Sequence, residues 1–302
     1  MRIVLLGPQR RPTLEGVARS LFTGPGAGGP VAAITAGWQE REPDDAELVA
    51  LLASAAGHAV NLALYRRWLD VQDRDPEYRA GERDLAGVLA ELQELYLLRL
   101  DYALQAVYAV QRRSGSAPGD ALAEAVQAVR ELDAAHLRRV NGARGEFFAR
   151  LVPHERPVIA EHRAEVSALL ADAAALVLAG GHVGVLAEVL HLFNVAAALN
   201  GASVIAWSAG AMALADRIVL FGDRSPRGPG HAEVYGSGLS LLRDVVLLPH
   251  ARARLLLDDT PRMAVFARRF APARCVPLEA GTRIDVPADG AWPPGIRTIE
   301  AA

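Results

Sequence analysis

The sequence predicts an α/β protein: a mostly parallel sheet with helices on both faces, interrupted by a long all-α insertion. Three observations carry this. Strand-length apolar runs open the chain, at Ile3 to Leu6 and Val31 to Ile34. Similar runs return late, at Ala175 to Leu178 and Ser203 to Ala206, and there they alternate with helix-length segments, the pattern of parallel strands joined by crossover helices. Between these sections, from Asp44 to about Arg150, β-branched residues do not cluster and apolar residues recur at helical spacing.

In chain order, Ile3 to Leu6 is bounded by Gly7 and Pro8 and reads as a first strand, since a run that short is no signal-peptide core. A helix-suited segment and the Gly-rich turn Gly24 to Gly29 lead to Val31 to Ile34. The spacing of Leu85, Val88, Leu89, Leu92, Leu95, Tyr96, Leu100, Leu104 and Val107 predicts long helices. Breaks at 73–76 and 114–119 combine Pro, Gly and Ser, which divides the middle section into three helices. The insertion is placed at about 60–155, between core segments 1–59 and 156–302. Further on come helices at about 159–171 and 183–199, with Ala175 to Leu178 between them and Ser203 to Ala206 after. Shorter strands are predicted at 217–220, 245–248, 263–266, 274–277 and 282–286, closing the sheet with a partly antiparallel edge.

Composition removes whole classes of chemistry. The 302 residues are 51% hydrophobic and 22% charged, enough for a sizeable core, and the net charge of -3 gives no global pull toward nucleic acid or an anionic membrane. All basic side chains apart from histidine are Arg, so no Schiff-base or phosphate-loop lysine exists. One cysteine, Cys275, makes neither an internal disulfide nor a multi-thiolate zinc site, and a reducing cytoplasmic location is expected. The longest apolar stretch, around Leu169 to Gly181, is broken by Asp172, so no transmembrane segment is expected.

Candidate chemistry centres on Val204-Ile205-Ala206-Trp207-Ser208-Ala209-Gly210-Ala211-Met212. An apolar strand running into Ser208 and small residues, then a helix start, is the setting of a nucleophile elbow, although tight strand-to-helix turns also need small residues. Gly180-Gly181-His182 ends the preceding strand, and glycines there let backbone N–H groups approach a ligand as an oxyanion hole requires. Adjacent parallel strands would bring the Gly181 and Ala209 N–H groups to one carboxyl edge, where α/β ligand sites form. A hydroxyl nucleophile needs a base, and the base an acid; Asp223 and His250 follow Ser208 in that order, with Glu233, Asp244 and Asp258 competing for the acid. His182, His191 and the other histidines match no zinc spacing, and this chemistry requires no metal or organic cofactor.

Gly180-Gly181, Trp207 to Ala211, Asp223 and Leu248-Pro249-His250 together resemble the serine peptidase family of aspartyl dipeptidase (peptidase E) and cyanophycinase. The resemblance covers the first strands and about 157–285, and implies a flavodoxin-like, class I glutamine amidotransferase-like fold. It implies Ser208 as nucleophile, His250 as base, Asp223 as acid and the Gly181 and Ala209 N–H groups as oxyanion hole. Departures are Ala206 for the usual Gly, Ala251 for a common aromatic, and Leu248 where the cyanophycinase branch has Asp. Glutamine amidotransferases carry Cys at the elbow, and α/β-hydrolases draw acid and base from more widely separated strands.

The expected function is therefore a serine hydrolase acting on a small peptide or other amide; the alternative is a non-catalytic binding or assembly protein on the same fold. Arg138, Arg139, Arg144, Glu146 and His136 near the end of the third helix read as a solvated charged face, with an anion or substrate clamp as the alternative, and the amphipathic helices suit a homodimer. Arg252 and Arg254 are two of many arginines available to a substrate pocket.

Overall fold

A computed structural model describes residues 1–9, 14, 16, 19–20, 29–113, 118–222 and 230–300. Strands β1 (Ile3–Leu6) and β2 (Val31–Ile34) are followed by a 3-10 segment (Ala36–Arg41), helix α1 (Ala46–Ala56) and β3 (Ala59–Asn61). Next come α2 (Leu64–Arg74), α3 (Pro76–Gln111), α4 (Pro118–Arg150) and α5 (Pro157–Ala171). The chain then alternates: β4 (Ala175–Leu178), α6 (Val183–Leu192), α7 (Val195–Ala198), β5 (Ser203–Trp207), α8 (Ala209–Leu214), β6 (Ile218–Leu220) and β7 (Glu233–Gly236). It ends with β8 (Val245–Pro249), α9 (Ala251–Arg254), α10 (Thr260–Phe270), β9 (Arg274–Leu278) and β10 (Arg283–Val286).

The central sheet has the order β10-β1-β5-β4-β2-β3, parallel throughout except for β10 at one edge. Every residue of β1, β2 and β4 is buried, as parallel strands covered on both faces require. On one face Val4, Leu6, Val177 and Ile205 pack with Leu48 and Leu52 of α1. On the other, Ile3, Leu5, Leu176 and Leu178 join the larger core, which includes α5, α6 and α8. The register pairs Leu6 with Trp207, Ala206 with Leu178, and Leu178 with Ile34, so four parallel strands end along one line.

The helices begin where local chemistry starts them. Asp75 caps α3, its carboxylate accepting the Tyr78 N–H at 3.0 Å, with Pro76 in the first turn. Tyr78 lies 5.4 Å from Phe147 between ring centroids and Tyr96 4.1 Å from His136, so α3 and α4 run antiparallel. A buried polar cluster joins them to α10 and β7. Arg269 donates to both Asp133 oxygens at 2.7 and 2.8 Å, to Tyr96 Oη at 3.0 Å and to Ala232 O at 2.7 Å. Tyr96 Oη in turn donates to Asp133 Oδ1 at 2.8 Å and accepts the Val234 N–H at 3.0 Å. A buried ion pair is tolerated when hydrogen bonds surround it in this way.

Several expectations need correction. Val60 and Asn61, placed with the insertion, belong to edge strand β3. The middle section holds two long helices of 36 and 33 residues, preceded by the 11-residue α2. The expected 183–199 helix is divided at Asn194, which adopts a left-handed conformation between α6 and α7. Residues 263–266, expected as a strand, lie within α10: Asp259 accepts the Arg262 N–H and Pro261 fills the first turn, and a four-residue apolar run read alone looks like a strand. Strand β7 was not anticipated, because Glu233-Val234-Tyr235-Gly236 has little apolar weight. Finally, β6–β7 and β8–β9 form separate two-stranded sheets instead of extending the central one. Asp223 and all of the Gly-rich turn except Gly29 lie outside the described residues.

The charged end of α4 divides. Arg138, Arg139 and Glu146 are exposed, Arg144 stands 3.7 Å from Glu188, and His136 is buried against Tyr96. Among the described residues, no helix is long and apolar enough to cross a membrane.

Candidate active site

The site forms at the carboxyl ends of the parallel strands, where chains leaving a twisted sheet open a crevice. Strand β5 delivers Ser208 into a sharp turn before α8, and Ser208 has φ 50° and ψ -123°, a conformation L-residues rarely hold. Small neighbours make the turn possible. A Cβ on Gly210 would lie 2.4 Å from Leu178 O, and one on Gly180 2.9 Å from the Ser208 Cβ. The loop after β4 therefore rests directly against the elbow.

Gly181 is locked to the loop after β2. Its φ is +131°, a Cβ there would lie 2.2 Å from Gly37 O, and the same carbonyl accepts the His182 N–H at 2.8 Å. His182 itself caps α6, accepting the Val185 N–H at 3.2 Å, and His191 is 3.3 Å from Ser237 O. Ala209 opens α8, so its N–H has no acceptor within that helix. These contacts bring the Gly181 backbone and the α8 amino terminus beside Ser208.

His250 arrives from a different sheet. It follows β8 in a left-handed conformation, φ 57° and ψ 35°, and its N–H donates to Leu278 O at 3.1 Å. Glu279 accepts the Arg252 N–H at 2.7 Å, while Gly7 N–H donates to Thr282 O at 2.9 Å. Gly7 is in such close contact with Glu279 that a Cβ would lie 1.7 Å from its carbonyl oxygen. The end of β9, and β8 with it, is thereby held beside the end of β1, next to β5.

Ser208, Ala209, Gly181 and His250 all line one cavity of about 420 Å³, with Trp38 and Arg254 at its walls. Four of the five residues singled out from sequence thus share it, and the fifth, Asp223, is outside the described residues. Among the described residues no carboxylate lines this cavity. Of the competing acids, Asp244 is exposed at the opposite end of β8 from His250, roughly 20 Å away at strand rise. Glu233 accepts from Gln93 Nε2 of α3 at 3.0 Å, and Asp258 is exposed beyond α9. The guanidinium of Arg254 lies 5.9 Å from the Phe221 ring centroid. Trp38 and Gln9 also line the cavity and escaped the sequence reading. Gly37 was the available signal, since it follows a parallel strand as Gly180 and Gly181 do.

Cys275 stands apart from this chemistry, buried in β9 with its thiol pushed up to about 12 by desolvation. Among the described residues no group of three or more His, Cys, Asp or Glu side chains is placed to hold a metal ion.

No known family profile matches the sequence, and no curated protein matches it. Among solved structures it is similar to the crystal structure of a peptidase from an acI-B1 Actinobacterium, with 14% identity over 100% of this chain and 91% of that one. The TM-score is 0.49, a degree of likeness that carries no argument about activity.

Proposed function

We propose that this chain is a serine hydrolase of small peptides or other amides, resembling peptidase E and cyanophycinase. One observation carries the reading: Ser208 occupies a strained strand-to-helix turn in the cavity that His250 also lines, with glycine-bearing backbone packed against it. In the proposed reaction His250 takes the Ser208 hydroxyl proton as Oγ bonds to the carbonyl carbon, and the Gly181 and Ala209 N–H groups stabilise the oxyanion. The C–N bond then breaks and His250 gives that proton to the departing amine. Water, deprotonated by His250, attacks the acyl-Ser208 ester; the acid leaves and Oγ recovers the proton. Asp223 is the proposed acid that orients His250. Residues 62–155 are proposed as an insertion into the core formed by 1–61, which takes in β3, and 156–302.

A fluorophosphonate probe with peptide mapping tests this reading. Labelling at Ser208, lost in Ser208→Ala and suppressed in His250→Ala, is the expected result, and an unlabelled wild type overturns it.

A second reading, assembly, has its own observation. Val88, Leu95, Leu98 and Tyr102 of α3 are 48%, 52%, 57% and 65% exposed and share one face. Asp84 and Glu91 flank the amino-terminal part of that stripe, and Arg99 the carboxyl-terminal part, so an antiparallel second copy sets Glu91 opposite Arg99. The proposed partner is a second copy of this chain. Light scattering should give a dimer for wild type and a monomer for the Leu95→Glu, Leu98→Glu double variant; a monomeric wild type overturns it.

A further inference from the structure

A second cavity, of about 520 Å³, adjoins the first and shares Gln9, Trp38 and Gly181 with it. Its lining includes Leu14, Trp38, Leu48 and Leu51. Leu14 and Leu48 are buried, while Trp38 and Leu51 are half-buried, so the cavity has an apolar floor and an apolar wall. Among the described residues, the charged ones lining it are Arg41, Asp44 and Glu47, all exposed. Arg41 Nε is 3.2 Å from the Asp44 carboxylate, so that cation already has its counter-charge.

Position says which part of a substrate would enter. Ser208 and His250 line the first cavity and not the second; Gly181 lines both. In the reaction proposed above, His250 protonates the leaving amine, so the leaving group lies on its side and the acyl group extends past Gly181. The Trp38 wall cannot drift from that point. Gly37 and Gly181 interlock through their backbones, and Gln39, immediately after Trp38, holds φ 57° and ψ -125°, a strained conformation of the kind found at binding sites.

We infer that this second cavity is the acyl-side specificity pocket and that it accepts an apolar side chain, leucine- or phenylalanine-like in size. This deepens the hydrolase reading and rests on it. An acidic side chain would meet a hydrocarbon floor and, among the described residues, a rim whose arginine is already paired with Asp44.

The test uses the full-length protein and a set of aminoacyl anilides with Leu, Phe, Ala, Asp or Arg on the acyl side, alongside the fluorophosphonate probe. The expected kcat/KM for Leu and Phe exceeds that for Ala by about tenfold or more, with Asp lowest. Leu51→Arg, on the half-buried surface of α1, should reverse the order of Leu and Asp while circular dichroism stays that of wild type. Labelling at Ser208 with Asp or Ala turned over as fast as Leu overturns the pocket and leaves the hydrolase reading standing. Unchanged selectivity in folded Leu51→Arg does the same. Absence of labelling overturns both.

Discussion

Two polar regions of this molecule are built on opposite principles. Around Arg269, Asp133 and Tyr96, side chains from three helices form a buried cluster in which carboxylate, guanidinium and hydroxyl all have protein partners. Around Ser208 the side chains of Ser208, His250 and Gln9 are half-buried, and the shape comes from backbone: positive φ at Ser208 and His250, and glycines where a Cβ would collide. The first arrangement holds elements together, its hydrogen-bonding groups taken up by protein partners. The second leaves groups facing a cavity and borrows its rigidity from the sheet, so it can meet a substrate without stabilising the fold.

Substitutions can break that contrast. Ser208→Ala should lower kcat by roughly a thousandfold or more while changing the unfolding free energy measured in urea by no more than about 0.5 kcal/mol; a large stability loss would make Ser208 a structural residue. Arg269→Ala should do the reverse, costing about 3–5 kcal/mol of folding stability because Asp133 is left buried and unpaired. If chemical denaturation shows a loss below about 1 kcal/mol, the cluster is not the fastening described.

Glu82 sharpens the comparison at the helix-to-core junction. Burial raises its carboxyl above the usual 4.5, with the Glu188 charge adding to the rise despite hydrogen bonds from Trp68 and Gln72. The folded protein thus binds that proton more tightly than the unfolded chain, so this group's contribution to stability falls as pH rises through and above 4.5. Glu82→Gln should flatten the decline in urea midpoint between mildly acidic and neutral pH; an identical slope counts against it. The smallest effect is at Cys275, which should resist alkylation in the native protein and react once unfolded, because its thiol is pushed up to about 12. Rapid native labelling by iodoacetamide would show that β9 opens readily.

The sequence made the central strands legible because parallel strands buried on both faces are continuous apolar runs. It misled at 263–266, where α10 presents four apolar residues in succession, and at β7, where pairing with β6 and packing against α4 make a strand of a weakly apolar segment. Ser208, Gly181 and His250 were legible as local punctuation at strand ends. Trp38 was not, because Gly37 marks a strand end in the sequence but does not tell that it will meet Gly181 across the sheet edge. The separate β8–β9 sheet was equally hidden, since its attachment to β1 runs through the contact of Gly7 with Glu279.

Strand β7 follows the segment that contains Asp223, and the helices grip it along its length. Gln93 donates to Glu233, Tyr96 accepts the Val234 N–H, and Ser237, just past the strand, donates to Asn141. Among the described residues neither α3 nor α4 lines the Ser208 cavity. The helices therefore act on that neighbourhood as a buttress acts on a wall, from behind. Helices so fastened are hard to lose: trimming them would loosen β7 before it uncovered anything, and a change in β7 would reach Gln93 and Tyr96 without either lining the Ser208 cavity.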